Sequence, residues 1–154
     1  MRLYLVQHAE AKREEEDPSR PLTDRGRREA IKVASYAARI GVRIEKIIHS
    51  GKLRALQTAE IMAEHLNPPG GIGKAEGLDP QADPKVFSER LKALNEDIMV
   101  VGHLPHLSRL ASLLLTGDPS IEPVRFRQAG IVCLERDDRG KWSLIWALRP
   151  EEIP

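Results

Sequence analysis

Asp97-Ile98-Met99-Val100-Val101-Gly102-His103 decides how the rest of the chain is read. A strand with one wet face alternates apolar and polar side chains, whereas this short apolar run is unbroken. It therefore predicts a strand covered on both faces, as in a parallel sheet, that stops at Gly102-His103. On its C-terminal side Pro105 opens a helix with Leu107, Leu110, Ala111, Leu114 and Leu115 along one side, and on its N-terminal side Pro84 suits the first turn of a helix through Leu94.

The same unit occurs twice nearer the N terminus. Leu3-Tyr4-Leu5-Val6 is a β-prone run that halts at Gln7-His8, and a polar, acidic loop follows from Glu10 to Arg20. Thr23 or Asp24 N-caps a helix whose inward face carries Ala30, Ile31, Ala34, Tyr36, Ala37, Ala38 and Ile40, until Gly41 stops it. Lys46 to His49 is a second short strand, Ser50-Gly51 a turn, and Leu53 to Leu66 a helix that ends before Pro68-Pro69-Gly70-Gly71. Two β-rich runs, Ile131 to Leu134 and Trp142 to Ala147, flank Asp137-Asp138-Arg139-Gly140 and read as an antiparallel hairpin. Trp142 and Trp146 on its second strand read as core packing.

Strands alternating with helices predict an α/β fold, a three-layer α/β/α sandwich with a mainly parallel sheet and antiparallel strands at one edge. The 154 residues, 41% of them apolar, suit one domain over 1–154. Lys plus Arg total 24 against 23 Asp plus Glu, so no global charge draws the chain to nucleic acid or to anionic lipid. No apolar run approaches the roughly 20 residues that cross a bilayer. The lone Cys133 forms no internal disulfide and no signal-peptide pattern opens the chain, which points to the reducing cytoplasm.

In open α/β sheets the ligand crevice lies beyond the carboxyl ends of the strands, where this reading places His8, Ser50 and His103. A neutral imidazole there can attack phosphorus if its other nitrogen is held by a hydrogen bond. Taken singly, a histidine at a strand end is more often a capping or packing residue, and an arginine a solvated charge. Here Arg54 lies one helical turn beyond Ser50, at a helix N-terminus whose amides favour an anion, and Arg20 lies in the loop after His8. Ser50 itself suits a phosphate contact or a helix N-cap.

These segments resemble the histidine phosphatase superfamily, in particular its short branch of SixA-type phosphohistidine phosphatases. The likeness rests on Leu5-Val6-Gln7-His8-Ala9-Glu10-Ala11, Arg20-Pro21-Leu22-Thr23-Asp24-Arg25-Gly26, Ser50-Gly51-Lys52-Leu53-Arg54-Ala55-Leu56-Gln57-Thr58-Ala59 and Val101-Gly102-His103-Leu104-Pro105, in this order and without large insertions. The resemblance implies a phosphoglycerate-mutase-like fold and transient phosphorylation of His8. It implies that Arg54 and Arg20 hold phosphate oxygens, that His103 as imidazolium stabilises equatorial charge, and that no metal or other cofactor takes part. It also implies a phosphorylated protein as substrate, such as a histidine phosphotransfer domain or a phosphotransferase-system protein.

The chain departs from the family pattern at Gln7-His8-Ala9, where Arg-His-Gly is usual. Gln7 offers one neutral hydrogen bond in place of a charge-assisted one, which predicts weaker phosphate binding or slower turnover. The acidic proton donor of larger relatives is missing too; Glu10, Glu14, Glu15, Glu16 and Asp17 qualify by proximity only. A phosphohistidine leaves as imidazole, whose conjugate acid has a pKa of roughly 6.5, so it departs without such an acid. Three other readings stay open: a phosphate-binding relative that has lost catalysis, a general small-molecule phosphomonoesterase, and a metal hydrolase built on His8, His49, His103 and His106. The last lacks an acidic partner at metal-ligand spacing.

Overall fold

A computed structural model describes residues 1–154. The elements run β1 (Arg2–Gln7), α1 (Asp24–Arg39), β2 (Lys46–His49), α2 (Leu53–Leu66), β3 (Ile72–Lys74), α3 (Pro84–Leu91), β4 (Ile98–Gly102), α4 (His106–Thr116), β5 (Ile131–Arg136) and β6 (Trp142–Leu148), with a short 3-10 turn at Pro150–Glu152. One six-stranded sheet has the order β3-β2-β4-β1-β5-β6. The first four of these strands run parallel, and β5 and β6 add the antiparallel edge.

All five residues of β4 are buried, as its unbroken apolar run requires at the centre of a doubly covered sheet. Along β1 the side chains alternate between two cores. Tyr4 and Val6 join Met99, Val101 and the apolar stripes of α1 and α2, while Leu3 and Leu5 join Ile98, Val100 and Phe87, Leu91, Leu107 and Leu110 of α3 and α4. Each fully buried Leu, Ile or Phe side chain contributes about 1.5–3 kcal/mol, so both helical layers are held chiefly by these rows.

The sequence reading missed β3, which is only three residues long and contains a glycine, so it shows no β-branched run. It also carried the third helix to Leu94, three residues beyond its observed end at Leu91. The Trp pair departs from simple alternation in an informative way. A bulge between the pairs Cys133↔Trp146 and Leu134↔Leu144 leaves Ile145 unpaired and flips the strand. Trp146 therefore packs on the α1/α2 core beside Tyr4, with ring centroids 5.9 Å apart, whereas Trp142 packs on the α3/α4 core beneath Arg136.

Strand order positions the site. β4 lies between β2 and β1, with Gln7 paired to Gly102 and His49 to Val101, so the three strands end together. The next residues, His8, Ser50 and His103, emerge side by side at one pole.

Candidate active site

The His8 backbone N–H donates to the Gly102 carbonyl at 3.0 Å, extending the sheet by one residue and fixing where the ring leaves the strand. Its Nδ1 lies 2.7 Å from the Ala9 carbonyl oxygen. A carbonyl only accepts, so Nδ1 carries the proton and Nε2 keeps its lone pair. Burial pushes the His8 pKa down to about 4; the Ala9 hydrogen bond opposes this, and Arg54 and Arg20 add to it. The ring is therefore neutral at pH 7, the state a nucleophile needs.

Ala9 is fully buried, so the β-carbon it adds in place of glycine is accommodated within the α1/α2 core. Its N–H donates to Thr58 Oγ1 at 3.0 Å, and the Thr58 hydroxyl donates to the Arg54 carbonyl at 2.8 Å. One side chain of α2 thus ties the His8 segment to the turn that carries Arg54. Gln57, the residue before it, accepts the Leu22 N–H at 2.8 Å and pins the strap that leads into α1. Sequence reading quoted Gln57 and Thr58 without giving either a role; their position one turn after Arg54 on α2 was the available signal.

Arg54 is half-buried with its Nε enclosed and unpartnered, and burial followed by the neighbouring Arg20 lowers its pKa. Arg20 adopts φ 50°, an uncommon left-handed conformation for a non-glycine residue, and its Nε donates to the Lys12 carbonyl. Neither guanidinium enters an ion pair with a carboxylate. Two unpaired cations beside two imidazoles form a cradle whose desolvation an incoming anion offsets.

His103 is buried, with its ring centroid 5.1 Å from that of His8. Burial first, then His8, Arg54, Lys52 and His106, depress its pKa to about 3. That depression opposes the imidazolium that the resemblance implies for His103. Ser50 Oγ lies 2.6 Å from His103 Nε2. Ser50 is not the N-cap of α2, which is Lys52, although its hydroxyl accepts the Lys52 N–H at 3.3 Å. Gly51 has φ +92°, and a β-carbon there would lie 2.7 Å from the Lys74 side chain, so glycine suits this turn twice over.

Gln7 ends β1, its carbonyl accepting the Ala129 N–H at 2.9 Å, with Gln128 bridged beside it. The acidic candidates are mostly engaged in their own loop. Glu10 accepts the Thr23 hydroxyl at 2.7 Å, Glu16 accepts from Arg13, Glu15 lies 4.0 Å from Arg13, and Asp17 accepts from Ser19; Glu14 is exposed. The four-histidine cluster does not assemble. His49 Nδ1 accepts the Gly51 N–H, His106 is enclosed beside α3, where Asp79 and Asp83 act on it, and no three His, Cys, Asp or Glu side chains gather to hold a metal ion. His65 bonds back to the Ile61 carbonyl on its own helix.

Comparison with known proteins agrees with this geometry. The family model for the histidine phosphatase superfamily (branch 1) matches residues 3–79. The phosphohistidine phosphatase SixA of Escherichia coli is 29% identical over 155 residues, covering 97% of this chain and 94% of that protein. A structure of the protein histidine phosphatase SixA complexed with tungstate superposes with a TM-score of 0.89 at 28% identity over the full length of both chains. The putative phosphohistidine phosphatase SixA from Agrobacterium tumefaciens gives 0.78 at 25% identity over 97% of each. The chain belongs to the histidine phosphatase superfamily, phosphatases that work through a histidine nucleophile without a metal ion.

Proposed function

We propose that this chain removes the phosphoryl group from phosphohistidine on a partner protein through a phosphohistidine intermediate at His8. His8 Nε2 attacks phosphorus in line with the departing imidazole nitrogen, and water then attacks the phosphorus bound to His8. Arg54 and Arg20 hold the phosphoryl oxygens, with Gln7 adding a neutral donor and His103 with Ser50 meeting the remaining charge. A tungstate ion is a tetrahedral oxyanion like phosphate, and its presence in the SixA relative supports an oxyanion cradle here.

The observation that carries the substrate reading is that the acidic candidates are engaged within their own loop: Glu10 accepts the Thr23 hydroxyl, Glu16 accepts from Arg13 and Asp17 accepts from Ser19. An alkoxide leaving group needs a proton from such an acid, whereas an imidazole departs near neutral pH without one. The partner fits a histidine phosphotransfer domain or a phosphotransferase-system protein, which would place the chain in cytoplasmic signal transduction as a single domain. Gln7 in place of an arginine favours a second reading, a phosphohistidine binder that has lost turnover.

Phosphate release from a phosphohistidine protein and from p-nitrophenyl phosphate, measured in parallel with EDTA present, separates these. The expected result is EDTA-resistant turnover that favours the phosphohistidine protein and vanishes in His8→Ala. Undiminished turnover in His8→Ala would overturn the mechanism, a preference for p-nitrophenyl phosphate would overturn the substrate, and saturable binding without turnover would establish the binder.

A further inference from the structure

We propose that Gln128 is a further residue that contacts the phosphoryl group, its side-chain amide and that of Gln7 together forming the wall of the cradle opposite the two guanidiniums. This deepens the phosphatase reading above and rests on it. Gln128 is bridged in register to Gln7, the residue before His8, and paired residues send their side chains to the same face of a sheet. Along β1, Tyr4 and Val6 face the α1/α2 core and Leu3 and Leu5 face the α3/α4 core. The same alternation puts Gln7, and Gln128 beside it, on the α3/α4 side. Arg54 on α2 and Arg20 ahead of α1 come to the strand ends from the other face. A tetrahedral anion held by the guanidiniums therefore turns its remaining oxygens toward the two amides.

The turn that carries Gln128 is held with unusual firmness. The Gly130 N–H donates to the Arg127 carbonyl at 2.9 Å, closing a turn from Arg127 to Gly130, and the Ala129 N–H donates to the Gln7 carbonyl at 2.9 Å. Ala129, third in that turn, has φ 64°, a place usually left to glycine or asparagine, and it is fully buried in the α1/α2 core. Such a conformation persists only where the surroundings over-determine it, and it gathers at functional sites. Here Arg127 supplies the restraint. Its Nη1 donates to the Gln128 carbonyl at 2.7 Å, its Nη1 and Nη2 fork onto Glu29 of α1 at 3.3 and 2.7 Å, and its Nε donates to Glu151 at 3.1 Å. The backbone of Gln128 is thus pinned to β1 and, through Arg127, to α1, while its side chain stays half-buried at the pole where His8 emerges. One amide gives an oxyanion a single neutral donor; two adjacent amides give it the two N–H groups of a guanidinium fork without the charge. Arg127 is a positioning residue acting through Gln128.

The test titrates tungstate, as a phosphate-like oxyanion, into wild type, Gln128→Ala and Gln128→Glu by calorimetry, and measures kcat/KM of each on a phosphohistidine protein, with Tm as a fold check. A hydrogen bond to a charged group is worth about tenfold or more in affinity, so Gln128→Ala should weaken tungstate binding about tenfold and lower kcat/KM by a similar factor. Gln128→Glu replaces the donor by an acceptor-only anion of the same length, and it should bind at least about tenfold more weakly than Gln128→Ala. That further loss should persist at about 0.5 M salt, which would screen a charge lying away from the anion. Three results would overturn the proposal: tungstate affinity in Gln128→Ala within about twofold of wild type, Gln128→Glu no weaker than Gln128→Ala, or a loss in Gln128→Glu that disappears at high salt. Should Gln128→Ala disturb the turn, Gln128→Met, which keeps the length and removes the amide, decides in its place. Tungstate binding is read without turnover, so this proposal can fail while the phosphatase reading stands. Failure of that reading would show separately, as turnover that persists in His8→Ala.

Discussion

Acidification from pH 7 to pH 5 should unfold this protein far more readily than an ordinary surface titration would. Burial holds three imidazoles below the ordinary histidine value of about 6.5: His8 at about 4, His103 at about 3 and His106 at about 4. The unfolded chain binds protons at these positions that the folded chain refuses. Their stabilising contribution is therefore complete above pH 6.5 and is lost as the pH falls, down to the folded pKa of each group. At pH 5, some 1.5 units below the unfolded pKa and still above all three folded values, each histidine costs about 2 kcal/mol, and together they cost up to about 6 kcal/mol. That is comparable with the whole stability of a typical domain, about 5–15 kcal/mol. Urea unfolding at pH 7, 6, 5.5 and 5 reads the loss directly. His106→Leu isolates one of the three, because His106 is fully buried outside the phosphate cradle and both its ring nitrogens lack partners; it should lower the steepness of the pH dependence by about a third. A change below about 1 kcal/mol between pH 7 and pH 5 would refute the lowered pKa of these three histidines.

Three substitutions probe the supports of the cradle. Gln7→Arg replaces a neutral donor by a charge-assisted one of about twice the strength, so kcat/KM should rise about tenfold, and no gain would mean that this side chain does not face the phosphoryl group. Thr58→Val leaves the Ala9 N–H buried without an acceptor, which should cost about 1–3 kcal/mol in urea unfolding and also lower kcat, because the link between the His8 segment and Arg54 is cut. Equal stability with unchanged kcat would show the link to be dispensable. Gly26→Ala drives a β-carbon into the Glu10 carbonyl oxygen, so α1 and the strap after His8 must separate. A drop in Tm of several degrees with loss of turnover is expected, and a variant as stable as wild type would contradict the close approach.

Much of the fold was legible because the decisive elements are governed by local rules. The bounds of α2 and β2 follow from apolar periodicity and from the Pro68-Pro69-Gly70-Gly71 break, and the bounds of α1 from Thr23, whose side chain accepts the Gly26 N–H as a cap, and from Gly41. What stayed hidden depends on partners distant in sequence. β3 owes its strand character to pairing with Ile47, Ile48 and His49, and the opposite packing of Trp142 and Trp146 depends on a bulge set by β5. In the site, the chemistry-bearing residues stood out by type and position at strand ends. Their connections did not, since the Thr58 link to Ala9 and Arg54 and the Ser50 bond to His103 are fixed only when separate helices and strands meet.

The charge inventory of the cradle explains why it can forgo an acid. Neither Arg54 nor Arg20 pairs with a carboxylate, and burial is the largest influence holding His8 and His103 neutral, so the cradle carries net positive charge. A carboxylate poised to protonate a leaving group would pair with one of these guanidiniums, weakening its hold on the phosphoryl oxygens and attracting a proton onto His8. Either effect would blunt the nucleophile. A site without that carboxylate keeps both its anion affinity and its lone pair, and it depends on a substrate whose leaving group departs unaided. Phosphohistidine meets that condition, and an alkyl phosphate does not.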